Sequence, residues 1–348
     1  MIKVMVVDDS ALIRKLLTDI LKLDKDILIV GTARNGKEAL EKIPTLKPDI
    51  ITLDVEMPLM DGITTLKHIV SKYKLPVIMI STLTKKGAEL TLKALEEGAI
   101  DFLQKPTNVF ALSQNEIKNE IIEKIKMGSK AKIETKQPLM TANRIGDSNN
   151  DIIKIKDSFA NIVAIGTSTG GPRALQYLIP LIPVDINATI VIVQHMPPKF
   201  TKSLSERLNS ISNIEVKEAE EGDILKRGCA YIAPGDYHMA IVKERNNLVV
   251  RLNQNPQVMG LRPTVNILMQ SVASIEGYSK LGIILTGMGS DGVEGILEMK
   301  KNNSYTIAQD ESTSVVFGMP KAAIATGIID EVLPLEKIAD KIISKVGV

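Results

Sequence analysis

Cysteine, histidine and uncompensated charge are all scarce in this chain of 348 residues. The single cysteine, Cys229, excludes an internal disulfide and fits a reducing compartment. Set just before the apolar run Tyr231-Ile232-Ala233, it reads as a small buried hydrophobe. The 43 Lys and Arg nearly balance the 41 Asp and Glu, leaving a net charge of +2. No polybasic surface for nucleic acid is therefore implied. No apolar run is long enough to cross a bilayer. The opening MIKVMVVDDS passes from a short apolar run to two acids, unlike a secretory signal. A cytoplasmic protein without membrane insertion is expected. Histidine occurs three times, at His68, His195 and His238, so an imidazole base has few candidates.

The length favours two domains. From residue 1 to about 126, apolar runs alternate with stretches of helical period. Strands are expected over Ile2–Val7, Ile27–Thr32, Ile50–Leu53, Val77–Ile80 and Asp101–Gln104. Helices are expected over Ala11–Leu23 and Gly36–Ile43, with Ile117–Lys126 closing the domain. Such alternation predicts a parallel sheet covered by helices on both faces.

Polar residues fall where four of these strands end: Asp8 and Asp9, Asp54, Ser81 and Lys105. Open α/β sheets bind ligands beyond the carboxyl ends of their strands. One acid there is explained by helix capping, and Asp9 or Ser10 is placed to cap the first helix. Three acids converging with a lysine need a cation or raised pKa values, because carboxylates repel. A hard ion such as Mg²⁺ suits them, and Lys105 would pair with an incoming anion.

VVDDS, LDVEMPLMDG, MIST and QKP, in this order and spacing, resemble a two-component receiver domain. The resemblance implies a flavodoxin-like sheet of five parallel strands. It implies that Asp54 accepts a phosphoryl group from a chemotaxis histidine kinase. It also implies Asp9, Asp54 and the Glu56 carbonyl as Mg²⁺ ligands, with Asp8 in support. Ser81 would be the switch hydroxyl, Lys105 would bind a phosphoryl oxygen, and Lys105–Pro106 would be cis.

Residues 127–157 break the pattern, being rich in Lys, Ser, Thr and Asn, and read as a mobile linker with room for a short helix at its start. Strand-like runs then return over 158–348: Ile162–Ile165, Thr189–Val193, Ala230–Ala233, Ala240–Val242, Leu248–Leu252, Gly282–Leu285 and Tyr305–Ala308. Helices are expected over Lys199–Ile211, Val265–Ile275, Val293–Lys300 and Pro334–Val346. A second α/β sheet is predicted, with an antiparallel hairpin across Ala230–Leu252 added at an edge.

The second sheet is organised around GTSTGGP, Gly166 to Pro172. An apolar strand precedes it, and Pro172 suits the first turn of a helix that turns Ala174, Leu175 and Leu178 inward. Ser168 thus sits on a turn of small residues facing a helix N-terminus, a good place for a nucleophile whose product is an oxyanion. A base is then needed. His68 lies in a helical stretch and reads as surface. His195 directly follows Thr189–Val193 and ends a strand, on the same edge as Ser168 if the two strands are parallel neighbours. His238 belongs to the hairpin, for substrate contact or structure. The orienting acid should also end a strand. Gly282–Leu285 runs into TGMGSDG, whose only acid is Asp291; with Glu294 it also resembles a capping box for the next helix. Asp236, Asp310 and Glu311 sit in loop or hairpin context. Gly287, Gly289 and Gly292 let backbone N–H groups crowd a small space, which suits an oxyanion site.

GTSTGGP, VIVQHMPPKFT, APGDYHM, RPTVNILM, ILTGMGSDG and QDESTSVVFGMPKAA resemble the CheB-type methylesterase catalytic domain over about 158–346. The family demethylates and deamidates chemoreceptors. The resemblance implies Ser168 as nucleophile, His195 as general base and acid, and Asp291 as the residue orienting His195. The Met288 N–H would be the oxyanion donor and Thr169 would line the site. Thr167 departs from the family, where alanine is usual, and little effect is expected. An unphosphorylated receiver would cover the Ser168 site. A nucleotide-binding module is a poorer reading, since GTSTGG lacks the G-x-G-x-x-G spacing and no G-K-[ST] occurs. A DNA-binding regulator is disfavoured by the near-neutral charge and the lack of a helix-turn-helix signal.

Overall fold

The computed structural model describes residues 1–105, 115–131 and 158–348. Two compact units, Met1–Gln137 and Pro138–Val348, each hold one main sheet. The expected linker lies outside the described residues from 132 to 157, as does Pro106 with its expected cis bond. The linker's first two residues are helical, because the closing helix runs on to Gly128.

The first unit runs β1 (Ile2–Val7), α1 (Ala11–Leu21), β2 (Ile27–Ala33), α2 (Gly36–Leu46), β3 (Ile50–Asp54), α3 (Gly62–His68), β4 (Val77–Ser81), α4 (Lys85–Glu96), β5 (Asp101–Gln104) and α5 (Asn115–Gly128). The strands form one parallel sheet in the order β2-β1-β3-β4-β5. Strand order reverses beside β1, which makes the β1/β3 boundary the crevice for a ligand. β3 and β4 are buried at every residue, which is why both read as unbroken apolar runs. Ser10, not Asp9, caps α1, accepting from the Ile13 N–H at 3.4 Å.

The second unit runs β6 (Asn161–Thr167), α6 (Gly171–Leu178), β7 (Ala188–Gln194), α7 (Phe200–Ile211), β8 (Glu215–Glu218), β9 (Cys229–Ile232), β10 (His238–Glu244), β11 (Asn247–Asn253) and α8 (Val265–Ala273). It continues through β12 (Ser279–Ile284), α9 (Val293–Lys301), β13 (Tyr305–Gln309), α10 (Met319–Ile324), β14 (Glu331–Leu333) and α11 (Leu335–Val346). Seven parallel strands lie in the order β14-β13-β12-β6-β7-β9-β8. β6 and β7 are buried throughout. Ile162 and Ala164 of β6 join Val191 and Val193 of β7 in a core with residues of α8, α9, α10 and the hairpin. Their alternate neighbours Val163, Ile165, Ile190 and Ile192, equally buried, face the other way.

The hairpin differs from expectation. Only β10 and β11 form it, as a separate two-stranded sheet. Ala230 belongs to β9, an interior strand between β7 and β8, whose apolar run needs cover on both faces. β10 packs against α8 instead of extending the sheet edge.

Candidate active site and acidic pocket

Ser168 and His195 owe their proximity to sheet register. Thr167 of β6 is paired with Gln194 of β7, and each candidate is the next residue along. The His195 N–H donates to Thr167 O at 3.2 Å, so the ladder continues past the strand ends. On the other side of β6, β12 pairs Ile284 with Gly166, and the chain beyond it turns across the same edge. There Thr286 O accepts from the Ser168 N–H at 3.1 Å and from Thr167 Oγ1 at 2.9 Å. α6 opens one residue before Pro172, with Gly170 in the left-handed region at φ 79° as its cap. Ala174, Leu175 and Leu178 are buried, as expected.

His195 Nε2 lies 2.8 Å from Asp291 Oδ2. The acid is buried and meets four donors in all. Oδ2 also accepts from the Val265 N–H at 2.7 Å, while Oδ1 accepts from the N–H groups of Asn266 at 3.1 Å and Gly292 at 2.9 Å. Burial alone would raise its pKa, but His195 and the amides of Val265 and Asn266 outweigh burial and hold Asp291 below the usual carboxylate range. The anticipated capping box is not formed: α9 is capped by Gly292 without a side-chain bond. Asp291 instead serves the first turn of α8, where unpaired amides and the helix dipole favour an anion.

Gly287 is required by crowding, since a Cβ there would meet Met319 Sδ at 2.3 Å and Ser168 Cβ at 2.9 Å. The next N–H, that of Met288, has no partner among the described residues. Thr169 is buried beside Ser168. His238 falls on the structural side: its ring is buried, Nε2 lies 3.2 Å from Pro256 O, and burial lowers its pKa. His68 is exposed. Asp236 pairs with Arg262, and Asp310 accepts from Ser312 and Thr313 in its own turn.

Some features escaped the sequence reading. Gln194 donates through Nε2 to both Ser168 O at 2.9 Å and His195 O at 3.2 Å. Asn266 Oδ1 accepts from the N–H groups of Gly292 at 3.0 Å and Gly295 at 2.9 Å, holding the turn that carries Asp291. Gln194 stands beside His195 in VQHMPP, and that adjacency was the available signal. Gly287, Gly289 and Gly292 also carry G-x-G-x-x-G spacing after a strand and before a helix. That loop does not suit a phosphate, because Asp291 brings negative charge and Asn266 already takes the amides of Gly292 and of Gly295 in the helix that follows.

In the first unit, Lys105 Nζ sits 2.8 Å from Asp54 Oδ2 and 3.2 Å from Asp8 Oδ2. Burial raises Asp54 to about 6, with Asp8 and Asp9 adding to the effect and Lys105 opposing it. Burial likewise raises Asp8 against the pull of Lys105. Burial opposes the charged form of Lys105, but its pairing with Asp54 and Asp8 prevails and raises its pKa. Carboxylate oxygens of Asp8, Asp9 and Asp54 lie within 4.8 Å of one another. Asp8 Oδ2 is buried, with the Lys105 ion pair as its contact and no aligned hydrogen bond. An all-oxygen, anionic donor set of this kind fits a hard divalent cation. The Glu56 carboxylate is exposed and pairs with Lys86, which leaves only its carbonyl for the pocket. Ser81 Oγ is buried and donates to Gly87 O in α4 at 3.2 Å.

These two sheets define a class: a receiver domain followed by a second, seven-stranded α/β domain. Residues 4–116 match the response regulator receiver domain, and residues 163–342 match the CheB methylesterase family. A protein-glutamate methylesterase/protein-glutamine glutaminase of Pyrococcus horikoshii is 48% identical over 100% of this chain and 94% of its own. One of Bacillus subtilis is 45% identical over 99% of this chain and 98% of its own. The crystal structure of the Thermotoga maritima CheB methylesterase catalytic domain covers 54% of this chain and 100% of its own, with 46% identity and a TM-score of 0.53. The chain belongs to the CheB methylesterase family and carries a response regulator receiver domain ahead of its catalytic domain. Among the described residues no helix is long and apolar enough to cross a membrane.

Proposed function

We propose that this chain is a phosphorylation-regulated serine hydrolase of the cytoplasm, with receiver 1–126, linker 127–157 and catalytic domain 158–348. Its substrates are glutamyl methyl esters and glutamines on the cytoplasmic domains of methyl-accepting chemoreceptors. The observation that carries the reading is the 2.8 Å contact of His195 Nε2 with Asp291 on the strand edge that also bears Ser168.

Asp291 accepts, so Nε2 carries the proton and Nδ1 holds the lone pair. Nδ1 therefore takes the Ser168 proton as the hydroxyl oxygen attacks the glutamyl carbonyl. The tetrahedral oxyanion is met by the Met288 N–H, with Thr169 lining the site. His195 returns the proton to the leaving oxygen as the C–O bond breaks, and methanol departs. Water, activated by the same nitrogen, then hydrolyses the acyl-enzyme. A glutamine side chain follows the same steps and releases ammonia.

In the receiver, Asp54 accepts a phosphoryl group from a histidine kinase. Asp9, Asp54 and the Glu56 carbonyl would hold Mg²⁺ with Asp8 in support, and the bound ion would neutralise charge at the pocket. Lys105 moves from Asp54 Oδ2 to a phosphoryl oxygen, and Ser81 exchanges Gly87 O for the phosphate.

Methanol release from methylated receptor membranes, with and without acetyl phosphate, tests both halves. Release should rise with the phosphodonor, vanish in Ser168→Ala, and lose only the rise in Asp54→Asn. Release indifferent to the phosphodonor would remove the regulatory half. Undiminished release from Ser168→Ala would remove the catalytic one.

A further inference from the structure

Gln194 is 2% exposed at the end of β7, in register with Thr167 of β6. The two hydrogens of its amide group go to different residues: one to Ser168 O at 2.9 Å, one to His195 O at 3.2 Å. The reverse orientation would set Oε1 against two carbonyl oxygens, so the partners fix the amide's direction. Oε1 itself is buried without a hydrogen bond. It is pressed toward α6, 2.0 Å from where a Cβ on Gly171 would stand. An apolar side chain of the same shape would remove that orphaned acceptor in exchange for the bond to His195 O, while Ser168 O would keep the Gly171 N–H. Stability alone therefore gives a weak reason for glutamine here.

We propose that Gln194 is a positioning residue for the hydrolase, holding the backbones of nucleophile and base at a fixed separation through one planar amide. The proposal rests on the reading of Ser168 and His195 as that pair. Ser168 is also tied through its N–H to Thr286 O and through its carbonyl to Gly171 N at 2.8 Å. Those bonds attach the serine to its own turn and to the oxyanion turn. The Gln194 bonds attach it to the residue that must receive its proton. Loss of them leaves the residues in place but broadens their mutual geometry, and misplacement of about 1 Å costs up to roughly 100-fold in rate.

The test uses full-length protein with acetyl phosphate and compares Gln194→Met and Gln194→Glu with the parent. Both variants keep the shape; Gln194→Met loses both donors, and Gln194→Glu, held neutral by burial, keeps at most one and so cannot bridge the two carbonyls. The expected result is a kcat for methanol release lowered about 10- to 100-fold with KM unchanged. Labelling of Ser168 by a fluorophosphonate should slow in proportion, while the Gln194→Met melting temperature holds or rises. Parent-like kcat in Gln194→Met would overturn the proposal, as would a loss that merely follows the folded fraction. Should Gln194→Met not fold, Gln194→Glu decides by the same readouts. Ser168→Ala separates the two ideas, since release persisting there refutes the nucleophile itself and not only its positioning.

Discussion

Asp291→Asn is the substitution that asks most of the proposed mechanism. Every oxygen position of the Asp291 carboxylate faces donors: His195 and Val265 at Oδ2, Asn266 and Gly292 at Oδ1. An asparagine must place its NH₂ at one of them. At the Oδ1 position it would leave the Asn266 N–H unpaired and find no acceptor for its own NH₂, while the Gly292 N–H keeps Asn266 Oδ1. At the Oδ2 position it confronts only the Val265 N–H, because His195 can respond by accepting at Nε2 and carrying its proton on Nδ1. A buried unpaired donor costs about 1–3 kcal/mol, so the second arrangement is favoured by roughly that amount, or about 5- to 150-fold in population. That arrangement gives the imidazole the wrong tautomer: Nδ1 then has no lone pair for the Ser168 proton. Methanol release should fall on the order of 10⁴-fold, about 5- to 150-fold from the wrong tautomer and the rest from the lost negative charge beside the imidazolium. Thermal stability should fall by only about 1–3 kcal/mol, from one orphaned amide and a lost anion at α8. The assay is single-turnover methanol release with phosphodonor, alongside thermal unfolding. A variant keeping a tenth of parent activity would refute the tautomer argument. Equal destabilisation without loss of rate would reduce Asp291 to a helix cap.

Other substitutions probe the surroundings. Gly287→Ala brings a methyl to 2.9 Å from Ser168 Cβ and 2.3 Å from Met319 Sδ. It should cost about 1–3 kcal/mol and displace the nucleophile, so activity should fall further than stability; a fully active variant would show that the turn yields freely. Thr167→Val removes a donor to Thr286 O, but that oxygen keeps the Ser168 N–H. A loss of only about 0.5–1.5 kcal/mol with near-parent kcat is expected, and a large kcat loss would show that the hydroxyl matters to chemistry. Burial pushes the Cys229 thiol from 9.0 up to about 11. The folded state thus keeps a proton that the unfolded state loses, so stability present below pH 9 is lost as pH rises toward 11, by at most about 3 kcal/mol. In denaturant melts the parent should lose more stability between pH 8 and 10.5 than Cys229→Ala does, and equal losses would count against the shift.

The sequence is most readable where one physical demand acts alone. β1 and β5 match their expected limits because short apolar runs between turn signals have few other uses. β8 was missed because its residues EVKE bury one apolar side chain at a sheet edge. β14, with three residues, shows no periodicity at all. The contact of His195 with Asp291 was approached through strand ends and family motifs, yet which helix Asp291 serves was not legible. Its partners Val265 and Asn266 are remote in the chain, and a local pattern with Glu294 offered a nearer explanation. Gln194 escaped for a related reason: an amide next to a strand end has no spacing rule, and its role depends on two carbonyls brought close by register.

The pairing of Thr167 with Gln194 sets a constraint on how such a site can change. Adjacent strands stand about 4.8 Å apart whatever joins them. The interval between the serine and histidine backbones is thus set first by the lattice, like the spacing of rungs, and not by any loop; the Gln194 amide narrows its spread. Chain can be added between α6 and β7 without altering that interval, whereas sliding β7 by one residue would turn His195 to the opposite face. Variation in length here is cheap and variation in register is forbidden.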